Sequence, residues 1–429
     1  MANPRLLYIL GLWVLLPYIF FHLLWRARKQ PEYLRHIGER FGFYSIRSDK
    51  PVIWLHTVSV GETQAVASLV KRLRKTYPDH QLLFTHTTPT GRAASKMLYG
   101  DDVLRVYLPY DYPFAVRRFL DHFRPRIGTL LETEIWFNLI HACKVKQIPL
   151  LLLNARLSEK SARGYERAAR MTRETLGELT AIAAQTADDA ARLTALGASE
   201  VSIMGNLKYD IEPPPAMLEL GRKLRDRFGA DRKIFLAAST REGEEALLLN
   251  ALGQVDIPHL LTVIVPRHPQ RFDEVANLLA QRGIRFQRRS EEHPVAPETQ
   301  VVLGDSMGEL FAYYTACNLA FIGGSLLPFG GQNLIEACTV GKPVLIGPHT
   351  YNFAQASQLA VAAGGAVRVE NTGGLAQALH DLLANPQKMA EIGEAGLRFV
   401  NANRGATELA LSHISRFMAE RKSHEKYLN

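Results

Sequence analysis

From residue 51 onward, short apolar and β-branched runs alternate with stretches of helix length. In the first half of the chain these runs fall at residues 52–56, 81–86, 127–131, 148–154, 181–185 and 201–204. Residues 62–76 and 112–123 are two of the helix-length stretches between them. Because strands that alternate with helices pair in parallel through right-handed crossovers, this pattern predicts a parallel sheet covered by helices.

A run of prolines interrupts the alternation near residue 211. The sequence Glu-Pro-Pro-Pro at residues 212–215 fits neither a helix interior nor a central strand. A second series follows, with predicted strands at residues 234–238, 260–265, 301–303, 319–322, 344–346 and 366–369. We therefore predict two α/β, Rossmann-like domains facing each other across a cleft, as the length of 429 residues favours. The predicted boundaries are 29–210 for the first domain, 211–225 for a linker, and 226–429 for the second domain with its C-terminal helices.

The composition is that of a globular protein with excess positive charge. Hydrophobic residues make up 47% and charged residues 22%, which excludes a wholly disordered chain and a polytopic membrane protein. The net charge of +9 favours a polyanionic partner, either anionic lipid or a phosphorylated or carboxylated substrate. We expect no nucleic-acid partner, because no RNA-binding signature or Lys/Arg run accompanies the charge. Cys143, Cys317 and Cys338 are far apart and predict neither a disulfide framework nor a zinc site.

The N-terminus departs from this composition. Residues 6–25 contain no Asp, Glu, Lys or Arg, and as a helix they would rise about 30 Å, the thickness of a hydrocarbon core. The cations that follow are Arg26, Arg28, Lys29, Arg35 and Arg40. The apolar stretch predicts that residues 1–28 are a single-pass membrane anchor. By the positive-inside rule, the cations place the body of the protein in the cytoplasm. A cleaved signal peptide is the alternative, although no small-residue cleavage site follows. Pro17 and His22 also allow a helix that enters only one leaflet.

Carboxylates follow two predicted strands of the first half. Glu62, in HTVSVGET, begins a helix, where it either complements the helix dipole or acts as a general base. Glu132 and Glu134, beside Trp136, follow the strand at 127–131, and alternating acids next to an indole are typical of a sugar site. Metal binding is the alternative, without a D-x-D motif or His cluster to support it. The carboxyl ends of parallel strands carry the sites of such folds, which makes these acids candidate site residues.

Three other polar segments of the first half are candidates for the site. TTPTG at residues 87–91 either binds phosphate or sugar hydroxyls or, as we favour, caps a helix. Arg156, in NARLS, offers a guanidinium suited to a carboxylate or phosphate. Lys208, in GNLKYD just before the proline run, either meets negative charge on a donor substrate or lies in solvent.

The second half contains segments suited to a nucleotide. Arg267 lies between Pro266 and His268-Pro269 at the end of a buried strand and is therefore held in position. GDSMGEL at 304–310 has a strand–loop–helix form whose helix start offers backbone amides. The glycines at 323–324 and 330–331 allow backbone N–H groups to approach a phosphate, and Glu336 is placed to accept from ribose hydroxyls. In the first half, the turn after the first strand lacks the G-x-G-x-x-G fingerprint and a P-loop is also missing, which argues against an NAD enzyme or an NTPase.

As an ordered set, these segments resemble the Kdo transferase (3-deoxy-D-manno-octulosonic acid transferase) family. The matching strings, which span roughly residues 30–370, are HTVSVGET, TTPTGR, YLPYD, ETEIWFNLI, NARLSEKSARGY, GNLKYD, ASTREGEE, VPRHPQRF, GDSMGEL, FIGGSL, GGQNLIEA and GPHTYNF. A series of motifs in family order is far more specific than any one of them.

The resemblance implies a fold, a reaction and roles for residues. The fold is GT-B with an N-terminal membrane anchor, and the enzyme needs no metal or other cofactor. It would transfer Kdo with inversion from CMP-Kdo to the lipid A precursor lipid IVA at the inner membrane, with its catalytic domains in the cytoplasm. Glu62 corresponds to the general base, and Glu132 and Lys208 correspond to transition-state stabilisers. The implied CMP contacts are Pro266, Arg267, Met307, Gly308, Glu309, Asn333, Leu334, Ile335 and Glu336.

Three positions depart from the family pattern. Arg241 and Gln332 stand where the family usually has histidine, and Phe137 stands where it usually has proline. A histidine base at either of the first two positions is therefore untenable, which strengthens the assignment of Glu62. The same replacements are expected to change hydrogen bonding on the donor side.

Two rival functions share parts of this pattern. A nucleotide-sugar epimerase would share the Gly-rich loop and the ribose carboxylate, but it needs no membrane anchor. A membrane-tethered module that only binds a nucleotide sugar would not need a base together with both stabilisers.

Overall fold

The computed structural model describes the backbone of residues 4–428 and the side chains of residues 4–28 and 30–420. It divides into two compact units. The first unit runs to Asp210 and also includes the chain from Arg404 onward, and the second unit is Ile211–Asn403. Each unit is built on one parallel sheet of seven strands, so the predicted pair of Rossmann-like domains is confirmed.

The sheet of the first unit has the order β3-β2-β1-β4-β5-β6-β7, with β1 near its centre. Its strands are β1 Val52–His56, β2 Gln81–His86, β3 Leu104–Tyr107, β4 Ile127–Leu131, β5 Leu150–Ala155, β6 Ala181–Ala184 and β7 Val201–Ile203. Its helices before residue 210 are α1 Pro4–Lys29, α2 Val60–Ala65, α3 Ala67–Thr76, α4 Pro89–Tyr99, α5 Pro113–Phe123, α6 Phe137–Val145, α7 Glu159–Glu166, α8 Ala169–Glu178 and α9 Ala187–Ala195. Helices cover both faces of the sheet, so β1 and β4 are buried at every position, as their continuous apolar sequences require.

The sheet of the second unit has the order β10-β11-β9-β8-β12-β13-β14. Its strands are β8 Lys233–Thr240, β9 Leu260–Pro266, β10 Phe286–Arg288, β11 Val301–Leu303, β12 Leu319–Ile322, β13 Val344–Ile346 and β14 Ala366–Arg368. Its helices are α10 Pro215–Phe228, α11 Glu244–Leu252, α12 Phe272–Gln281, α13 Leu310–Ala316, α14 Ile335–Thr339, α15 Ala354–Ala362, α16 Thr372–Leu383 and α17 Pro386–Ala402. Helix α18, Ala406–Leu428, completes the chain, and short 3₁₀ turns lie at Pro31–Leu34, Ile37–Phe41, Leu207–Tyr209, Pro269–Arg271, Arg289–Glu291 and Tyr351–Phe353.

All twelve predicted strands are confirmed, with ends displaced by at most two residues. The two strands that the sequence did not predict, β3 and β10, both lie at a sheet edge. Each is three or four residues long and only partly buried, because one side of an edge strand faces solvent. The helix predicted at 62–76 is interrupted at Val66 and forms two helices, α2 and α3.

The structure differs from the predicted domain boundaries at both ends of the second domain. Part of the predicted linker, from Pro215, is the start of α10, because a proline in the first turn of a helix costs no hydrogen bond. Helix α18 belongs to the first unit and not to the second. Ala410, Ile414 and Phe417 are buried among the apolar side chains of the first unit, and this burial holds α18 there.

The carboxylate of Asp210 fastens the start of α18 to the end of the first half of the chain. Its Oδ1 accepts from the backbone N–H of Gly405 at 2.8 Å, and its Oδ2 accepts from that of Thr407. The first N–H groups of a helix have no partner within the helix, so one carboxylate satisfies two donors that would otherwise lack acceptors.

Helix α1 is long and apolar enough to cross a bilayer over Pro4–Arg28, and it also packs against the first unit. The hydroxyl of Tyr8 donates to Asp111 at 3.1 Å, and the hydroxyl of Tyr112 donates to the carbonyl of Leu12 at 2.6 Å. Arg5 forms an ion pair with Glu178 at 3.0 Å. The remaining face of α1 exposes large apolar side chains: Leu6, Leu7, Leu10, Trp13, Val14, Leu15, Tyr18, Phe20, Phe21, Leu24 and Trp25.

Replacing Asp210 with alanine is expected to loosen α18 from the first unit. Two helix N–H groups lose their acceptor, and loss of such a cap costs about 1–2 kcal/mol. Hydrogen exchange should then lose protection in α18, and the urea midpoint of unfolding should fall. Asp256, an exposed carboxylate in a loop of the second unit, is the matched control. Equal protection of α18 in Asp210→Ala and Asp256→Ala would contradict this role.

Candidate active site

The turn after β1 is held by a reciprocal pair of hydrogen bonds between Ser59 and Glu62. Ser59 is the N-cap of α2, and its Oγ accepts from the backbone N–H of Glu62 at 3.2 Å. In return, Ser59 Oγ donates to Glu62 Oε1, and the backbone N–H of Val58 donates to Glu62 Oε2, both at 2.8 Å. The spacing S-x-x-E at residues 59–62 is the sequence signal of a capping box, formed here with the N–H of Val58 in place of that of the N-cap Ser59. Glu62 therefore orders the turn in which it lies.

The carboxyl group of Glu62 is buried, with 8% of the residue exposed. Burial raises the pKa of Glu62, and the nearby Glu132 carboxylate raises it further, whereas the hydrogen bonds from Val58 and Ser59 oppose the shift. Its two hydrogen bonds leave lone pairs on both carboxylate oxygens unused. A carboxylate with a raised pKa and free lone pairs is suited to accept a proton from a hydroxyl group.

Glu132 and Lys208 form an ion pair in the first unit. Lys208 Nζ lies 3.2 Å from Glu132 Oε1, and both side chains are partly buried. Glu132 follows β4 with φ of +58°, a left-handed conformation that is uncommon for residues other than glycine. Its backbone is fixed there, because its N–H donates to Leu153 and its carbonyl accepts from Arg156. Strained backbone that neighbouring strands hold in place is typical of functional sites.

Three polar side chains position the turn that carries Lys208. Asn206 Oδ1 accepts from the backbone N–H of Lys208 at 3.0 Å, and Asn206 Nδ2 donates to Gln185 Oε1 at 2.9 Å. Gln185 Nε2 donates to the carbonyl of Asn154 at 3.0 Å, and Asn154 Oδ1 accepts from the N–H of Leu207 at 3.1 Å. The ends of β5, β6 and β7 are thereby joined, which limits the positions available to Lys208. Sequence analysis singled out the Asn154 segment but not this role, because the partners come from separate strands.

His56, at the end of β1, is a site residue that sequence analysis missed. It is fully buried, its Nδ1 lies 2.8 Å from Thr85 Oγ1, and its Nε2 lies 3.5 Å from Glu134 Oε2. Glu134 Oε2 also accepts from the indole N–H of Trp136 at 2.7 Å. Glu134 therefore contacts both Trp136 and His56. The string HTVSVGET contained this histidine, but only the fold brings it beside Glu134.

The TTPTG segment caps a helix, as we favoured from its sequence. Thr88 is the N-cap of α4, and its Oγ1 accepts from the N–H of Gly91 at 3.1 Å. The same hydroxyl donates to the carbonyl of Val58 at 2.8 Å. Thr88 thus connects the turn after β2 to the turn that contains Glu62.

In the second unit, the nucleotide candidates lie at the starts of short helices. Asn333 Nδ2 donates to Glu336 Oε1 at 3.1 Å, and Asn333 Oδ1 accepts from the N–H of Ile335 at 3.1 Å. Desolvation raises the pKa of Glu336 to about 6, against opposing contributions from Asn333 and from the charge of Arg267. Arg267 follows β9, and its backbone N–H donates to Thr240 at 3.0 Å. The predicted contacts Asn333, Glu336 and Arg267 therefore lie close together. Leu334 and Ile335 are buried.

The segment Met307-Gly308-Glu309 forms a separate group before α13. Met307 is exposed, and Gly308 has φ of +80°, which a side chain would disfavour. Glu309 accepts from Ser306 Oγ at 2.7 Å and lies 3.4 Å from Arg289. The three residues present backbone and side-chain polar atoms at the carboxyl end of β11.

Sequence analysis missed two buried acids of the second unit, of which Glu244 supports the Gly-rich loop and Glu245 pairs with Arg271. Glu244 Oε2 accepts from the N–H groups of Arg241 and Gly324, at 2.9 and 2.6 Å, and Oε1 accepts from that of Leu326 at 3.0 Å. Glu245 forms a two-pronged ion pair with Arg271, at 2.7 and 2.9 Å. The acidic pair in ASTREGEE is the sequence signal for both, although Gly324, Leu326 and Arg271 lie far from it in the chain.

Two of the three departures from the family pattern lie beside the same glycine. A Cβ atom added to Gly324 would approach Gln332 Nε2 to 3.2 Å and Arg241 Cγ to 3.5 Å. The guanidinium of Arg241 lies 4.5 Å from the ring centre of Phe329. The third departure, Phe137, begins α6, and its ring packs against Tyr8 of α1 at 5.0 Å.

Within the described residues, no group of three or more His, Cys, Asp or Glu side chains is arranged to hold a metal ion.

Solved structures with a similar fold indicate the class to which this protein belongs. A glycosyltransferase from Rickettsia africae ESF-5 matches 86% of this chain and 99% of its own, with a TM-score of 0.57 and 15% identity. A UDP-GlcNAc 2-epimerase from Neisseria meningitidis matches 85% of this chain and 100% of its own, with a TM-score of 0.56 and 17% identity. These likenesses concern the fold alone. Together with the two parallel seven-stranded sheets, they define a protein of the GT-B class.

Sequence relatives identify the family within that class. The family model for 3-deoxy-D-manno-octulosonic-acid transferase (kdotransferase) matches residues 35–211. The 3-deoxy-D-manno-octulosonic acid transferase of Bordetella pertussis is 39% identical over 426 residues, which cover 96% of this chain and 98% of the relative. The chain therefore belongs to the Kdo transferase family, and the resemblance inferred from its motifs is confirmed.

Replacing Glu62 with glutamine separates its role in the turn from its basicity. The amide oxygen accepts from Val58 and the amide N–H donates to Ser59, so folding stability should change by less than about 1 kcal/mol. Loss of a general base should lower the turnover number of Kdo transfer about 10²–10⁴-fold. In the wild type, turnover should also fall on acidification through the raised pKa of Glu62, because the base must be ionised.

Ser59→Ala is the matched control for this substitution. It removes the cap, at a cost of about 1 kcal/mol, but keeps the carboxylate. Thermal unfolding and turnover should be measured for both variants. Near-normal turnover in Glu62→Gln, or an equal loss of turnover in the two variants, would leave Glu62 with a capping role only.

Proposed function

We propose that this protein is an inverting glycosyltransferase that transfers Kdo from CMP-Kdo to lipid IVA in lipopolysaccharide core biosynthesis and releases CMP. Family membership supports the Kdo transferase activity. The observation that carries the mechanism is the buried Glu62 carboxyl, whose pKa is raised by burial and by the nearby charge of Glu132, the residue that pairs with Lys208. The donor, the acceptor and the stereochemistry are parts of the proposal.

The proposed reaction is a direct displacement at the anomeric carbon of Kdo. An acceptor hydroxyl attacks this carbon while Glu62 takes its proton, and the bond from the carbon to the CMP phosphate oxygen breaks. Attack opposite to the leaving group inverts the configuration. Lys208 stabilises the negative charge on the departing phosphate, and Glu132 holds Lys208 in place through their ion pair and shares in stabilising the transition state. No metal ion or other cofactor takes part in the proposal.

The second unit is proposed to bind the CMP part of the donor. Glu336 would accept hydrogen bonds from the ribose hydroxyls, and Arg267 would pair with the phosphate. Asn333 supports Glu336 through its hydrogen bond of 3.1 Å, and Pro266 fixes the backbone before Arg267. The helix starts at Met307-Gly308-Glu309 and at Leu334 would offer backbone N–H groups to the nucleotide, and Ile335, whose N–H donates to Asn333, would hold Asn333 at the same site.

We also propose that the protein is attached to the inner membrane through residues 1–28, with both units in the cytoplasm. The exposed apolar face of α1 supports this attachment, because burying it in lipid removes a large apolar area from water. The cations at the C-terminal end of α1 and directly after it support the orientation and would attract anionic inner-membrane lipids. Nucleic acid is not a partner in this proposal.

The activity is tested by mixing the purified protein with CMP-Kdo and lipid IVA in detergent. We expect release of free CMP together with an increase in the lipid mass by one Kdo residue or more, as measured by mass spectrometry. NMR of the product should give an anomeric configuration opposite to that of the donor. Release of CMP without a gain in lipid mass would contradict the proposed acceptor, and no release of CMP would contradict the transfer.

Glu336→Ala tests the donor site separately from the chemistry. Losing a hydrogen bond to a charged group should weaken CMP binding by about 1–3 kcal/mol, measurable by calorimetric titration. Glu298→Ala, which removes an exposed carboxylate of the same unit, is the control and should bind CMP normally. An unchanged dissociation constant in Glu336→Ala would remove Glu336 from the ribose.

A further inference from the structure

His56 lies at the carboxyl end of β1, just before the turn that contains Glu62. It is fully buried, and it is paired in register with Thr85 of the neighbouring strand β2. Its Nδ1 lies 3.0 Å from the carbonyl oxygen of Thr85 and 2.8 Å from Thr85 Oγ1. Because a carbonyl oxygen can only accept a hydrogen bond, this geometry places a hydrogen on Nδ1. In a neutral ring, Nε2 would then be a bare acceptor.

The second ring nitrogen of His56 faces a carboxylate. Nε2 is buried, has no hydrogen-bond partner among the described residues, and lies 3.5 Å from Glu134 Oε2. A bare Nε2 would turn its lone pair toward a negatively charged oxygen, so that two acceptors would face each other. A proton on Nε2 replaces this repulsion with an ion pair. The contact therefore favours the charged ring, which carries hydrogen on both nitrogens.

Glu134 has the partners that an ionised carboxylate requires. Its Oε2 accepts from the indole N–H of Trp136 at 2.7 Å, and the charged ring of His56 offers a second donor to the same oxygen. Two donors match the two lone pairs of one carboxylate oxygen. Tyr165 of α7 is a titratable neighbour, and burial raises its pKa, so it stays neutral beside Glu134. His56 is therefore the charged partner of this carboxylate.

The charge of His56 acts on Glu62. Burial raises the pKa of Glu62 and the charge of Glu132 adds to this rise, whereas the charge of His56 opposes it. His86, a second buried histidine nearby, exerts no such charge, because burial lowers its pKa to about 3 and keeps it neutral. The positive charge at this end of β1 thus depends on the protonation of His56.

We propose that His56 is a positioning residue of the transfer reaction, a buried imidazolium that is paired with Glu134 and holds its positive charge at the turn that contains Glu62. Glu134 keeps the ring charged, and the charged ring favours the ionised form of Glu62, which is the form that accepts a proton. His56 thus acts through Glu62. The inference rests on the proposed function, because it takes Glu62 as the base.

The charge of His56 is tested directly by ¹⁵N NMR of protein labelled at histidine. In the pH range of Kdo transfer, both ring nitrogens of His56 should carry hydrogen in the wild type. Glu134→Gln replaces a partly exposed carboxylate with an amide whose N–H donates to Nε2, so the variant should fold and Nε2 should lose its hydrogen. A neutral His56 in the wild type, or a charged His56 in Glu134→Gln, would overturn the proposal.

The effect on Glu62 is tested by following its titration with ¹³C NMR of the carboxyl group. His56→Asn keeps an N–H for the carbonyl of Thr85 but removes the charge, so the pKa of Glu62 should rise. It should also rise in Glu134→Gln, where the ring is neutral. Adding His56→Asn to Glu134→Gln should give no further rise. An unchanged titration in His56→Asn, or a further rise in the double variant as large as that in His56→Asn alone, would contradict the pairing.

His86→Asn is the matched control. His86 is as buried as His56, lies at the end of the neighbouring strand β2, and its Nδ1 lies 2.9 Å from the carbonyl oxygen of Thr57. Because its ring is neutral, the substitution removes a similar volume without removing a charge. Thermal unfolding should be lowered as in His56→Asn, while the titration of Glu62 stays that of the wild type. An equal rise of the Glu62 pKa in both variants would reduce the effect of His56 to packing and overturn the proposal.

The pH profile of turnover connects this pair to the reaction. The ratio of turnover at acid pH to turnover at the optimum should fall about threefold or more in His56→Asn and Glu134→Gln, because less of the base is ionised. The ratio should keep its wild-type value in His86→Asn. If wild-type turnover does not follow the titration of Glu62, the assignment of the base fails. The two NMR experiments need no turnover, so they still decide whether His56 and Glu134 control the charge at Glu62.

Discussion

Backbone N–H groups inside a protein must find acceptors, and in this protein buried carboxylates supply them where strands and helices meet. Glu62 accepts in the turn after β1, and Glu244 accepts in the Gly-rich loop after β12. Asp111 accepts from two N–H groups at the start of α6, and Asp210 does the same at the start of α18. Burial raises the pKa of Glu62 and Glu244, and raises that of Asp111 to about 7. The burial of carboxylates as acceptors in these turns therefore also raises their pKa values.

This constraint makes the two interpretations of Glu62 compatible. The carboxylate that caps α2 is held in one position by two hydrogen bonds, and a general base needs such a fixed position. The same principle applies to Lys208, which Asn206 orders through its backbone and Glu132 orders through its side chain. The left-handed backbone of Glu132 is held by β5. Hydrogen bonds and ion pairs within the protein thus hold Glu62, Glu132 and Lys208 in position without any contribution from substrate.

The two ends of the chain both pack on the first unit. Helix α18 does so by burying Ile414 and Phe417 and by donating two N–H groups at its start to the carboxylate of Asp210. Helix α1 does so through hydrogen bonds of Tyr8 and Leu12, while its outer face remains apolar and exposed. Under the proposed function, an apolar helix fastened to the first unit would hold that unit close to the lipid surface, where the proposed acceptor is found.

The sequence by itself determined the class of fold, the positions of the central strands and the family, because buried parallel strands require continuous apolar runs and the motifs follow their carboxyl ends. It also identified Glu62, Glu132 and Lys208 as candidates. Only the tertiary structure decided the unit to which α18 belongs, the edge strands β3 and β10, and the partners of His56 and Arg40. These features depend on contacts between residues far apart in the chain, and neither local periodicity nor spacing carries information about such contacts.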